Sequence, residues 1–307
     1  MALSFAPDNL DAYYSFALVN LRIGTVQAEN HLEVAGKKDN GAAVFDQAAH
    51  ALDYVLSKNP EYPEAGTYLA RAHMLLGNAL YASNNIQKAL SELNKAVAEL
   101  ERIGKPDALP DQVRLLLGTA LVERGNAYLS DHKDKYAASD SEEAREVMGK
   151  IPTSSPQSGL TREWLARALT LRAHVQTNSR RYQNAVDDLR GALNIFSPYP
   201  EATRALGLAY TELGFGLIKS GKRVDEAHED FAEAINYLTS VQGAEDDTKF
   251  LLGRAYLGQS AAFELQNRHQ DAKVMCNEAL TNLQQVPKMK LLLPSLENRC
   301  ATIGGKR

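Results

Sequence analysis

The side chains that could do chemistry in this 307-residue chain are scattered rather than gathered. The seven histidines, His31, His50, His73, His132, His174, His228 and His269, fall one or two to a stretch, and none has a second ligand at metal spacing. Adjacent carboxylates such as Glu142-Glu143 and Asp187-Asp188 read as solvated helix faces, because acid/base work needs a cleft and a shifted pKa. There is no H-E-x-x-H, no G-x-x-x-x-G-K-[ST], no C-x-x-C and no G-x-S-x-G, so an enzyme, a metal or another cofactor is not expected. Cys276 and Cys300 are too few for a disulfide framework or a four-ligand zinc site, and read as two reduced thiols of a cytoplasmic protein.

Composition points the same way. With 44% hydrophobic and 23% charged residues and a net charge of −4, the chain has the balance of a soluble globular protein. Thirty-four basic residues against thirty-eight acidic ones leave no excess to neutralise phosphates, which disfavours a nucleic-acid partner. The first twenty residues carry no Lys or Arg, and Pro7, Asp8 and Asp11 interrupt their apolar character, so no signal peptide is expected. No apolar run approaches the roughly 20 residues a membrane span requires.

What positions these side chains is a repeat. Proline marks where helices are not, and Pro60, Pro106, Pro152 and Pro198 each lie 46 residues after the last. Pro287 follows at nearly two further periods, with a turn-like Gly243-Ala244-Glu245-Asp246-Asp247 midway. Between these marks apolar residues recur at helical spacing: Tyr68, Leu69, Ala72, Leu75, Leu76, Ala79 and Leu80, then a break at Asn84-Asn85, then Ile86, Ala89, Leu90, Leu93, Ala96, Val97 and Leu100. Each period is therefore predicted to be two amphipathic helices, and stacking the pairs buries what one pair cannot. Gly77, Ala89 and Ala96 are the small residues expected where helices cross.

These residues resemble the tetratricopeptide (TPR) repeat family. Leu76-Gly77-x2-Leu80 followed by Ala89, Leu93 and Ala96 keeps the offsets of its signature. Phe45, Ala48, Leu52 and Pro60 match a second half, Gly125 and Tyr128 a first half, and Tyr182, Ala185, Leu189 and Ala192 another second half. Ala227 with Phe231 and Ala234, after a Leu213-Gly214 with one extra turn residue, and Ala272 with Cys276 and Ala279, complete the series. The signature Trp is missing from every unit, the units are longer than the usual 34 residues, a length shared with HEAT and armadillo repeats, and Ser141 stands where a large apolar residue is expected.

The resemblance implies an all-α fold, a right-handed superhelix of about six TPR-like antiparallel helix pairs in one domain. The units would be about 8–60, 61–106, 107–152, 153–198, 199–243 and 244–287. The first helix would run from Leu10 to about Glu33, and a cap over 288–303 would use Met289, Leu291, Leu292, Leu293 and Leu296. Gly304 to Arg307 should fray.

It also implies a non-enzymatic interaction scaffold or adaptor whose concave groove, lined by the first helix of each pair, takes a partner peptide or helix. The family's groove offsets carry over to Asn78, Asn126 and His174, one residue past the Gly-like position, and to Arg71, Arg167 and Arg254, six before it. Asn offers amide hydrogen bonds to a peptide backbone and Arg a fork for a carboxylate, so an acidic segment or a free C-terminus is the implied partner. Met74 and Val122 stand where a clamp lysine is needed. A regulatory sensor that changes shape on binding a small peptide, and self-association through the Leu291–Leu293 end, are the alternatives.

Overall fold

A computed structural model describes residues 9–30, 33–34, 37–38, 40–221, 223–241 and 245–304. Thirteen α-helices account for almost all of these residues. They are α1 (Leu10–Asn30), α2 (Ala42–Lys58), α3 (Ala65–Ala82), α4 (Ile86–Ile103), α5 (Asp111–Ser130), α6 (Asp134–Gly149) and α7 (Ser158–Asn178). There follow α8 (Tyr182–Ile195), α9 (Pro200–Ser220), α10 (Val224–Ser240), α11 (Asp246–Leu265), α12 (His269–Leu283) and α13 (Leu293–Thr302). Between α1 and α2 lies a two-residue antiparallel ladder, β1 (Glu33–Val34) against β2 (Lys37–Lys38), which hydrophobic patterning does not foretell. The midpoint turn around Gly243 and the chain end after Gly304 lie outside the described residues.

The chain divides into two compact units, 1–171 and 172–307, parted within α7. In both, consecutive helices pack antiparallel across short turns. Four of those turns share one backbone device. Asn84, His132, Arg180 and Asn267 take φ between 57° and 59°, and the amide after each donates to the carbonyl five residues back. Asn85 N–H to Leu80 O at 2.9 Å and Lys133 N–H to Tyr128 O at 2.8 Å are two instances. This is the Schellman termination, which satisfies the last carbonyls of the first helix and reverses the chain.

In the first unit, small residues fix how closely paired helices approach. A Cβ added to Gly77 would stand 2.7 Å from Leu93 Cγ, so α3 and α4 meet where a larger residue would hold them apart. Ala48, Ala89 and Ala137 of this unit, like Ala185, Ala227 and Ala272 of the second, have no exposed surface. Ser141, at the position equivalent to Leu93, is also fully buried and donates its hydroxyl to Ala138 O at 2.8 Å. At Gly125 the nearest side chain comes from α7 instead: Leu171 Cδ2 packs there, as Leu93 packs at Gly77. The irregular unit is thus packed by a neighbouring helix, so α6 remains a regular helix.

Three residues past each of those alanines from Ala89 to Ala227 stands an acid, and its partner changes along the chain. Glu92 accepts from His73 Nδ1 at 2.7 Å and from Lys95 at 2.8 Å. Burial works to raise its carboxyl, but these two hydrogen bonds win and hold it below the usual range. Asp140 is held bidentately by Arg124 at 2.7 and 2.9 Å, and in the second unit Asp188 by Arg172. Asp230 breaks the series: Leu213 occupies the place of the arginine, and Asp230 Oδ2 is buried without a hydrogen-bond partner.

Burial, with Glu226 and Glu229 nearby, raises the Asp230 carboxyl to about 6. A carboxyl whose folded pKa exceeds its unfolded one destabilises the fold once ionised, a penalty absent below about pH 4 and complete above about pH 6. Asp230→Asn is expected to stabilise the protein at pH 7.5 by about 1 kcal/mol, after discounting the shift for solvent screening of a partly exposed group. Urea titrations at pH 7.5 and pH 4 check this: the gain should vanish at the lower pH.

At the C-terminus the structure corrects two expectations. Cys276 and Cys300 are not separate thiols but a disulfide with Cα atoms 5.5 Å apart, which ties α13 to α12. Nor do Leu291 and Leu292 cover anything, being 93% and 59% exposed. Pro287–Met289 form a 3₁₀ turn instead of helix, and Leu296, Cys300 and Ile303 pack onto Phe263, Ala272 and Cys276 in their stead. Proline at 294 lets α13 start only one residue earlier, at Leu293, which is why the helix begins late.

Candidate functional site

In the first unit, α1, α3, α5 and the start of α7 present residues to a common surface with two adjoining hollows. The larger, about 610 Å³, is lined by Tyr68, Arg71 and Met74 of α3, Leu116 of α5, and Leu160 and Trp164 of α7. The smaller, about 450 Å³, is lined by Leu18, Leu21, Arg22 and Val26 of α1, and shares Tyr68 and Arg71 with the first. Tyr68 and Arg71 therefore form the saddle of one continuous cleft. Its size falls in the usual range for ligand pockets, and most of its lining is apolar.

The helical period explains the arrangement. Tyr68, Arg71 and, one turn further, Leu75 share a face of α3, while Leu69, Ala72 and Leu76 point to the core with exposures of 7% or less. On α1, Val19, Ile23 and Val26 recur at helical spacing and remain 57%, 44% and 46% exposed, so this helix carries an apolar stripe toward solvent as well as one toward α2. Arg22 and Arg71 make no ion pair among the described residues, which leaves two guanidinium groups beside apolar surface.

The structure sorts the six sequence-derived site residues. Arg71 lies in the cleft. Asn78 and Asn126, one residue past Gly77 and Gly125 on α3 and α5, are half-buried and do not line it. Arg167 stacks over the Trp164 ring at 4.8 Å and pairs with Glu163 at 2.8 Å, so it braces the tryptophan from behind. His174 and Arg254 belong to the second unit. Burial holds the His174 imidazole below its usual pKa, with Glu201 opposing. Arg254 is engaged by Glu212 at 2.5 Å and lies 5.8 Å from the Phe215 ring centre.

Within the first unit, Arg71 and Arg22 face the apolar cleft, and Asn78 and Asn126 lie outside its lining. Sequence reasoning missed Tyr68, Leu116, Leu160, Trp164 and Arg22. The lone tryptophan three residues before an arginine was the available signal, since aromatics and Arg dominate binding hot spots.

No family model matches the sequence, and no curated protein does either. Solved structures do. RapI in its apo form superposes with a TM-score of 0.60 at 12% identity, over 96% of this chain and 74% of that one. PilF of Pseudomonas aeruginosa gives 0.51 at 14% identity over 94% and 99%. BtubC from P. vanneervenii gives 0.50 at 17% over 78% and 89%. RapI and PilF are TPR proteins. The fold is TPR-like.

At these identities the likeness concerns backbone architecture alone. It fits the Gly77–Ala89 crossing, the Schellman turns and the buried alanine series, which together make each TPR-like pair. Among the described residues no helix is long and apolar enough to cross a membrane, and no group of His, Cys, Asp or Glu could hold a metal ion.

Proposed function

We propose that this TPR-like protein is an interaction scaffold whose first unit binds an amphipathic, acidic segment of a partner protein in the cleft over Tyr68 and Arg71. The observation that carries the reading is the pairing of an apolar cleft with Arg71 and Arg22, two guanidiniums that make no ion pair among the described residues. An apolar anchor would fill the hollow between Met74, Leu116 and Trp164, and a carboxylate would take the Arg71 fork. Because the helices are fixed by packing, most of the ordering cost falls on the partner segment. Asn78 and Asn126 would then act at the margin, through backbone amides of a longer segment.

The test is selection from a random-peptide display library, followed by titration of the selected peptides against single variants. Trp164→Ala should weaken binding about 30-fold, the scale of a hot-spot loss near 2 kcal/mol. Arg71→Ala should weaken it about tenfold and flatten its salt dependence, while Asn78→Ala changes it less than about threefold. Peptides that bind Trp164→Ala and Arg71→Ala as tightly as the parent would contradict the proposal.

A further inference from the structure

Both cysteines of the chain are spent on one bond, and its position matters more than its presence. α13 has ten residues, of which only Cys300 is buried. A helix of that length does not persist by itself in water. Among the described residues, its hold on the fold apart from the disulfide is one small apolar cluster, in which Leu296, Cys300 and Ile303 pack with Leu257, Phe263, Ala272, Met275 and Leu280, and one solvent-exposed ion pair, Arg299 to Glu264 at 3.7 Å. An ion pair that exposed contributes little. Beneath it lies the apolar end of the α11–α12 pair, and the ends of helical-repeat stacks need a cover to stay soluble.

We propose that the Cys276–Cys300 bond is a redox latch: oxidised, it keeps α13 closed over the end of the α11–α12 pair, and reduced, it lets α13 open and uncovers that end. The reductant class is a dithiol. One of its thiolates attacks a sulfur of the bond, the Cys276–Cys300 link breaks, and a mixed disulfide forms. The second thiol of the reductant then displaces the remaining cysteine. In sum, the cysteine pair gains two electrons and two protons, and the dithiol leaves as its own disulfide. Cys276 and Cys300 are 1% and 2% exposed, so the bond is shielded from the dithiol and its reduction is slow while α13 stays packed. This inference is independent of the cleft in the first unit.

Hydrogen exchange read by mass spectrometry tests it on the full chain, oxidised and after dithiothreitol. Amides of α13 are expected to exchange at least about tenfold faster after reduction, with those of α11 and α12 unchanged, and a dye for exposed apolar surface should bind more. The Cys276→Ser/Cys300→Ser double variant should match reduced parent protein in both conditions. Equal exchange of α13 before and after reduction would overturn the latch. So would an equal rise throughout α11 and α12, which marks a general staple, or alkylation of both cysteines without prior reduction.

Discussion

Replacing Arg124 by leucine should cost about 3–5 kcal/mol of stability at neutral pH, because it strands Asp140 as a buried, uncompensated charge. Asp140 is 4% exposed, and burial already pushes its carboxyl up despite the opposing pull of Arg124. Burial alone would weaken the Arg124 cation, yet its hydrogen bond to Asp140 reverses the sign and raises its pKa. The pair is thus mutually sustained at 2.7 and 2.9 Å. Asp140→Leu added to Arg124→Leu should recover most of the loss, since well-packed apolar pairs often equal buried ion pairs. The single variant should also lose less at pH 5 than at pH 8, where the stranded carboxyl can no longer take up a proton. Urea denaturation of the four members of this cycle gives the numbers, and a single-variant cost under about 1 kcal/mol would show the pair to be solvated.

Phe231→Ala should be about as damaging, at about 3–5 kcal/mol. Its ring is fully buried between two glycines: the Cβ of a residue at 214 would come within 2.8 Å of Cζ, and one at 258 would overlap the ring edge. Gly258→Ala is therefore the sharper experiment. Helix propensity alone predicts that alanine gains about 1 kcal/mol there. Overpacking of a rigid ring costs about 1–3 kcal/mol, and we expect the clash to win. Combining Gly258→Ala with Phe231→Leu should relieve part of it. Thermal melts of the three variants decide the sign, and a stabilised Gly258→Ala would show that α9, α10 and α11 can shift apart freely.

How far residues announce structure here depends on what each signal reports. The proline period and the alanine series state where helices stop and where they cross, and both reflect local sterics that a sequence carries directly. Asn84 and Asn267 mark their turns in the same way, since Asn tolerates positive φ. Arg180 does not, because the Schellman hydrogen bonds impose that geometry on a residue with no preference for it. Leu171 packing at Gly125, where Leu93 packs at Gly77, is likewise a long-range substitution that no local pattern reveals.

Offsets carried over from the TPR family name Arg71, which lines the cleft, and also Arg167 and Arg254, whose guanidiniums are engaged by Glu163 and Glu212. Pairing between side chains on different turns or helices depends on rotamer and register, which spacing does not encode. The disulfide was missed for a related reason. Cysteine number and compartment are statistical arguments, whereas a bond between residues 24 apart depends on how α13 folds back.

The central claim is that partners bind the cleft between the first helices of the first unit. A photocrosslinking benzophenone residue placed at Gln112, within the cleft, and separately at Lys88, exposed on α4, tests it most directly with peptides drawn from the display selection. The account predicts efficient crosslinks from position 112, abolished by Trp164→Ala, and none from position 88. Crosslinks from position 88 with none from 112 would contradict it.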